Sequence, residues 1–313
     1  MSETTTDHSR REAWLMAARP HTLPAAAAPV IVGTGLAVHE GLFAPLPALA
    51  AFIGAALIQI GTNFANDYYD AVKGVDTDDR EGFTRVTQSG LIAPESVKRA
   101  TYATFALAVL VGVYLVYVGG LPILVIGLAS VASGLAYAGG PYPLGSHGLG
   151  DLFVFVFFGV VAVTDTFYVQ AAQVLAAPFP TGVPPGTVTL AAVVASLPVA
   201  AISTDILVVN NVRDLETDRE AGKKTLAVLV GYRASRAEFV GLLALAYSVP
   251  FWFWLVAGFS PAVLLPVVTL PYAASIARTV LTDSSGDALN PALERTGKLL
   301  AGYSVLFALG LIA

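Results

Sequence analysis

The sequence predicts an all-helical membrane protein that crosses the bilayer about nine times. Three observations carry this. Of its 313 residues, 56% are hydrophobic and only 12% charged, about half the charged fraction of an ordinary soluble domain. The apolar residues fall in runs of roughly 20, the length that spans a hydrocarbon core ~30 Å thick. All 17 Lys and Arg fall in alternate connecting segments or beside them.

The predicted spans, in order, are 23–38, 46–64, 101–118, 121–138, 151–171, 187–209, 237–257, 261–280 and 297–313. The first is short, and Pro24 and Pro29 are expected to interrupt it because proline removes a helix hydrogen bond. Residues 1–20 read as a polar cytoplasmic tail with a short interfacial helix around Trp14. They lack the apolar core and cleavage site of a signal peptide. Alternation from a cytoplasmic N-terminus puts the tail, 65–100, 139–150, 210–236 and 281–296 inside. It puts 39–45, 119–120, 172–186 and 258–260 outside. The inner segments and their borders hold Arg10, Arg11, Arg19, Lys73, Arg80, Arg85, Lys98, Arg99, Arg213, Arg219, Lys223, Lys224, Arg233, Arg236, Arg278, Arg295 and Lys298. The outer segments hold none, as the positive-inside rule requires. The expected location is the cell membrane, multi-pass, with the functional face toward the cytoplasm. No polar segment is long enough to bury a core of its own, so 1–313 reads as one membrane-embedded domain. The chain has no cysteine, which excludes disulfides, thiolate metal sites and a cysteine nucleophile.

Two clusters carry the chemistry. The second span ends in Asn63-Phe-Ala-Asn66-Asp67-Tyr-Tyr-Asp70, and the sixth in Asn210-Asn211-Val-Arg213-Asp214-Leu-Glu-Thr-Asp218. Helical positions three or four apart share a face, so each cluster projects oxygen atoms from one side of a helix end. The likeness of the two reads as a weak internal repeat. Asp76, Asp78 and Asp79 follow the first cluster, past Gly74, where the helix is expected to end. Facing carboxylates repel unless a cation intervenes. Mg²⁺ prefers oxygen ligands and shares them with phosphates. Lys73, Arg80, Arg85, Arg213, Lys223 and Lys224 would complete a diphosphate site, where metal and basic groups neutralise a leaving group. The plainer reading is a solvated charged rim.

At these residues the chain resembles the UbiA superfamily of membrane prenyltransferases. The first family motif, NDxxDxxxD, is matched at Asn66-Asp67-Tyr-Tyr-Asp70. Its third Asp would fall at Gly74, and Asp76 stands two positions later. The second motif, DxxxD, is matched at Asp214 and Asp218. ARPHTLPAAAAPV at 18–30, NDYYDAVKGVDTDDR at 66–80, RVTQSGLI at 85–92, GGPYPLGSHGLGD at 139–151 and NNVRDLETDREAGKKTLAVLVG at 210–231 look like the branch that prenylates 1,4-dihydroxy-2-naphthoate in menaquinone synthesis. The resemblance runs from about Arg19 to Arg236. It implies nine helices around a central cavity, capped by cytoplasmic loops 65–100 and 210–236. It implies catalysis by Asp67, Asp70, Asp214 and Asp218, with Mg²⁺ held by Asn66, Asp67, Asp70, Asp76, Asp214 and Asp218. The substrate-binding set is Asn63, Asn66, Lys73, Arg80, Arg85, Asn210, Asn211, Arg213, Lys223, Tyr142 and Arg19. The expected partners are a polyprenyl diphosphate, an aromatic acceptor and membrane lipid, with no nucleic acid. The expected reaction releases diphosphate and CO₂ and yields a demethylmenaquinol.

Other residues keep two readings. Arg19 either holds a substrate carboxylate or anchors the inner face. Phe64, Tyr68, Tyr69, Tyr137 and Tyr142 either line a site for an allylic cation or pack at the headgroup level. Asp165 and Asp205 lie inside apolar spans, where an unpaired carboxylate is costly. They either face the cavity or serve the structure, and they keep a secondary transporter open as an alternative. Other acceptors (hydroxybenzoate, homogentisate, heme or an archaeal lipid) are the alternative within the superfamily.

Overall fold

In lipid a backbone must satisfy its own hydrogen bonds, which leaves helices as the form for apolar runs of this length. The computed structural model describes residues 9–73, 86–87, 89–138, 145 and 147–313, with the backbone alone described at 70, 72, 73 and 134–138. Among the described residues there is no strand. A short helix, α1 (Arg10–Ala18), begins with a capping box in which Ser9 and Glu12 satisfy each other's free N–H groups. A 3₁₀ turn, Pro20–Thr22, leads into α2 (Leu23–His39). Then follow α3 (Pro45–Lys73), α4 (Pro94–Ala138), α5 (Gly150–Leu175), α6 (Leu190–Arg213) and the short α7 (Leu215–Glu220). The chain ends with α8 (Leu226–Leu255), α9 (Pro261–Thr282) and α10 (Gly286–Ile312).

Eight helices among the described residues are long and apolar enough to cross a membrane. One of them, α4, covers two predicted spans. Its 45 residues would reach about 67 Å as a straight helix, over twice the hydrocarbon core. It is not straight. Gly120 sits at φ 68°, ψ −152°, which breaks the helix between 94–119 and 121–138. The opened backbone groups find partners in the segment after α5. Phe179 N donates to Tyr117 O at 2.8 Å and Leu121 N to Pro180 O at 2.9 Å. Tyr168 Oη donates to Gly119 O at 2.7 Å. A Cβ at Gly120 would lie 1.9 Å from Pro180 O, so only glycine fits there.

One expectation shifts. Neither proline interrupts α2: Pro24 sits in its first turn, and the helix runs unbroken through Pro29; a proline inside a packed membrane helix is tolerated where neighbours re-satisfy the freed carbonyl. Helix α3 runs beyond its predicted span to Lys73, the residue before Gly74, so the whole first acidic cluster is helical, as its spacing implied.

Cross-contacts sort the connections into two ends. At one end, His39 stacks on Phe259 with ring centroids 4.1 Å apart, and Tyr117 meets Phe179 through the backbone bond above. At the other, Asn63 reaches Ala18, Arg213 reaches Asn290, and Arg236 donates to Val280 O and Asp283 O at 2.8 and 2.7 Å. These are the two sets of connections that charge placement assigns to opposite faces. The second set is the charged end of the bundle.

The core centres on α6, the most buried of the long helices, which packs against α2, α5, α8 and α10. Close approach is made with small residues, as is usual between membrane helices. Gly159, in a π-helical stretch of α5 (Val154–Val161), lies directly on α6: a Cβ there would be 2.1 Å from Ala200 Cβ. Gly35 packs on α10 in the same way, where a Cβ would be 2.8 Å from Ala308 Cβ.

Gly159→Ala is therefore expected to lower the thermal midpoint of detergent-purified protein, through an overpacking cost of about 1–3 kcal/mol. Gly112→Ala in α4, where a new Cβ meets nothing within 4 Å, should leave the midpoint unchanged or raise it by the equivalent of about 0.5–1 kcal/mol. Equal effects at both positions would contradict this packing.

Candidate active site

The charged end gathers three groups of polar side chains, each at the end of an apolar helix. The first is built on α3. Asn63 and Asp67, four residues apart, share a buried face, with Asp67 only 1% exposed, while Asn66 is exposed. Asn63 Nδ2 donates to Ala18 O at 3.0 Å and to Thr22 Oγ1 at 2.9 Å. It thereby fastens α3 to the bend between α1 and α2. At that bend Arg19 takes a left-handed conformation (φ 50°, ψ 67°), where glycine is the usual residue. The bend sets the Arg19 guanidinium 4.0 Å from Asp67 Oδ1. The other carboxylate oxygen, Oδ2, accepts from Thr87 N at 3.1 Å and from Thr87 Oγ1 at 2.5 Å. Thr87 is held by a turn in which Leu91 N and Ile92 N both donate to Val86 O. Fully buried Val86 packs with Ala13, Ala17, Phe64 and Val97, and Trp14 meets Phe64 edge-on. So α1 and the 86–92 turn together close over Asp67.

The second group is built where α6 ends. Arg213, its side chain 9% exposed, donates to four acceptors. Nε and Nη2 grip both oxygens of Asp214 at 2.7 and 2.8 Å. Nη2 also reaches Asn210 Oδ1 at 2.8 Å, and Nη1 reaches Asn290 Oδ1 at 2.6 Å. Asn210 Nδ2 donates to Asp214 Oδ2 at 3.3 Å. Asn211 is buried beside them. The third group follows α7: Lys223 Nζ donates to the buried Asp218 Oδ1 at 2.7 Å, and Lys223 N donates to Asp218 O at 2.9 Å. Bidentate and charge-assisted bonds of this kind are roughly twice as strong as neutral ones.

Each of Asp67, Asp214 and Asp218 thus has a basic side chain against it. Half of the sequence-derived set falls into these three groups: Arg19, Asn63 and Asp67; Asn210, Arg213 and Asp214; Asp218 and Lys223. Asp70 and Lys73 lie on α3 with only their backbone described. Asp76, Arg80, Arg85 and Tyr142 lie outside the described residues, as do Gln88, Asp78 and Asp79. Two contributors were not foreseen. Thr87 lies within the TQSGLI stretch, where a lone hydroxyl carries no signal of its own. Asn290 begins an apolar helix with no recognisable motif; its one signal is an amide at a helix end, as at Asn66 and Asn210.

Asp205 does not belong to these groups. At about 100° per residue, nine positions carry it half a turn around α6 from Asp214. It is 0% exposed, and both its carboxylate oxygens are buried with no hydrogen-bond partner among the described residues, as are those of Asp151. Glu238 of α8 lies within electrostatic range of both. Asp165 is half-buried in α5.

The donors are all oxygens from carboxylates and amides, the set that suits Mg²⁺ rather than a soft metal. Among the described residues no three acidic or histidine side chains lie close enough to enclose a metal ion.

A model of the "UbiA prenyltransferase family" matches residues 26–299. The 1,4-dihydroxy-2-naphthoate octaprenyltransferase of Escherichia coli (strain K12) is 38% identical over 309 residues, covering 97% of this chain and 96% of its own. The protein of the same name from Mycobacterium tuberculosis is 38% identical over 295 residues, covering 94% of this chain and 95% of its own. Among solved structures, a UbiA homologue from Archaeoglobus fulgidus bound to GPP and Mg²⁺ has the same fold, with a TM-score of 0.59 over 94% of this chain and 99% of that one, at 18% identity.

Arg213→Met would take from Asp214 its charged partner, leaving only the Asn210 amide, and from Asn290 its donor. The expected loss is about 2 kcal/mol, because removing one partner of a largely buried pair strands the other. Arg219→Met should cost less than about 1 kcal/mol, since Arg219 and Glu216 form an exposed surface pair. Thermal unfolding of the two purified variants compares them directly.

Proposed function

The chain belongs to the UbiA prenyltransferase family, and on that premise we propose that it transfers a polyprenyl group from a polyprenyl diphosphate to 1,4-dihydroxy-2-naphthoate, giving a demethylmenaquinol, diphosphate and CO₂. The acceptor is supported by the names of the relatives in E. coli and M. tuberculosis and by the TQSGLI and GGPYPLG stretches. The observation that carries the reading is that three motif aspartates, Asp67, Asp214 and Asp218, stand at one end of the bundle, each with a basic partner against it. In this reading that end faces the cytoplasm across a cell membrane, because all the Lys and Arg of the sequence fall in or beside the connecting segments assigned to it.

Asn66, Asp67, Asp70, Asp76, Asp214 and Asp218 would hold Mg²⁺, as the oxygen-only donor set allows. When bound, magnesium supplies positive charge against the departing diphosphate. The chain's own residues do the rest. With the carboxylates holding the ion, Arg19, Arg213 and Lys223 would stand beside it to take phosphate oxygens, joined by Lys73, Arg80 and Arg85. Donors aimed at a leaving group's developing charge lower the barrier most. The bond between the allylic carbon and oxygen breaks, and its electron pair leaves with the diphosphate. An electron-rich ring carbon attacks the allylic carbon, and CO₂ departs from the attacked position. Asn63, Asn210, Asn211 and Tyr142 would shape the site, and α1 with the 86–92 turn would limit water at the cation. The apolar helices keep the tail in lipid.

Purified protein given Mg²⁺, a polyprenyl diphosphate and the naphthoate should release diphosphate and form prenylated product. Excess EDTA should stop it. Asp67→Ala and Asp214→Ala should each lose at least about 100-fold in turnover while remaining folded by circular dichroism. Near-normal turnover with EDTA present would falsify the metal–diphosphate reading. Product formation with hydroxybenzoate but not the naphthoate would overturn the acceptor.

A further inference from the structure

The geometry points to Asn290 of α10 as a positioning residue of the diphosphate site, holding the Arg213 guanidinium in place when Asp214 turns to the metal. This inference rests on the prenyl-transfer reading above.

Arg213 has four bonds, and they are of two kinds. Two go to Asp214 at 2.7 and 2.8 Å, the motif carboxylate that the proposed chemistry needs for a cation. The other two go to neutral amide oxygens, Asn210 Oδ1 at 2.8 Å and Asn290 Oδ1 at 2.6 Å. A carboxylate drawn to a divalent ion would have fewer lone pairs to offer an adjacent guanidinium, and its grip would weaken. More of the hold on Arg213 would then fall to the amide pair. Without it, a long side chain with several rotatable bonds would search many conformations, and ordering it again costs on the order of 1–2 kcal/mol. A guanidinium already held by acceptors presents its remaining N–H groups in a fixed fork, which suits phosphate oxygens.

Of the two amides, Asn290 is the informative one. Asn210 shares α6 with Arg213 and also bonds Asp214, so a change there disturbs the motif directly. Asn290 comes from a different helix, 77 residues away in sequence, and its side-chain oxygen accepts from Arg213. Its charge-neutral oxygen is also the right chemistry. A carboxylate at 290 would hold Arg213 as well, whereas a side chain without an acceptor would not. The helix that carries it is firmly seated: α10 packs against α2, α6 and α9 and against the Pro20–Thr22 turn beside Arg19, so one helix braces both halves of the charged end.

The test compares steady-state kinetics of purified wild type, Asn290→Ala and Asn290→Asp with a polyprenyl diphosphate, the naphthoate and saturating Mg²⁺. Asn290→Ala should raise KM for the diphosphate about ten-fold, the size of a lost hydrogen bond to a charged group. Its KM for the naphthoate and its thermal midpoint should stay near wild type. Asn290→Asp, which keeps an acceptor oxygen, should restore KM to within about two-fold. If the alanine protein does not survive extraction, Asn290→Ser, too short to reach Arg213, takes its place. An unchanged diphosphate KM in the alanine or serine protein sinks the inference, as does an aspartate variant no better than alanine. So does an equal rise in both KM values with a fallen midpoint, which marks a purely structural residue. A wild type that releases no diphosphate under these conditions sinks the prenyl-transfer reading itself, and this inference with it.

Discussion

A carboxylate at the end of an apolar helix is tolerated only when something of opposite charge or with N–H groups stands against it. That constraint organises the charged end of this protein. Asp67 lies almost fully buried, and its two oxygens draw in Arg19 from the α1–α2 bend and Thr87 from the turn after α3. Asp214 is gripped by Arg213, which in turn reaches across to α10. Asp218 closes the turn after α7 through Lys223. The tail, two connecting segments and the last helix are thus located by the acids they serve. Buried ion pairs contribute little net stability by themselves, yet breaking one is costly. Such pairs suit a site whose carboxylates must exchange one cationic partner for another.

The rest of the bundle is built under a different constraint. Between apolar helices in lipid there is little hydrophobic force, so association depends on close contact and on saturated backbones. Gly159 against Ala200 and Gly35 against Ala308 bring α5 and α10 onto their neighbours. The break at Gly120 is covered by Phe179, Pro180 and Tyr168. These contacts lie away from the acids and make a rigid frame on which the charged end is mounted.

Asp205 shows why position in sequence alone misleads within such a frame. It lies on the same helix as Asp214, and reading along the chain places it deeper behind the same cluster. Rotation around α6 puts it on the opposite side, buried with Asp151 and within range of Glu238. Its surroundings are helix–helix interface, and the features that suggested a transporter are separated from the motif acids.

The sequence by itself determined the fold class, the apolar cores of the long helices and the two acid motifs; α3, α8 and α10 run on past their predicted spans at the charged end. Apolar runs of membrane length, glycine at the break in α4 and charge confined to alternate connections are local signals, and each acts within about one helix. It also singled out Arg213 and Lys223, as members of a diphosphate site; that they pair with Asp214 and Asp218 is seen in the structure. Only the tertiary structure decided what stands against those acids from afar. Thr87 meets Asp67 from 20 residues away and Asn290 meets Arg213 from 77. Neither carries a distinguishing sequence pattern, because a single hydroxyl or amide becomes significant only once packing has brought it to a charge. The same holds for Arg19, whose left-handed bend is set by Asn63 holding Ala18 and Thr22, a contact between helices that no local periodicity encodes.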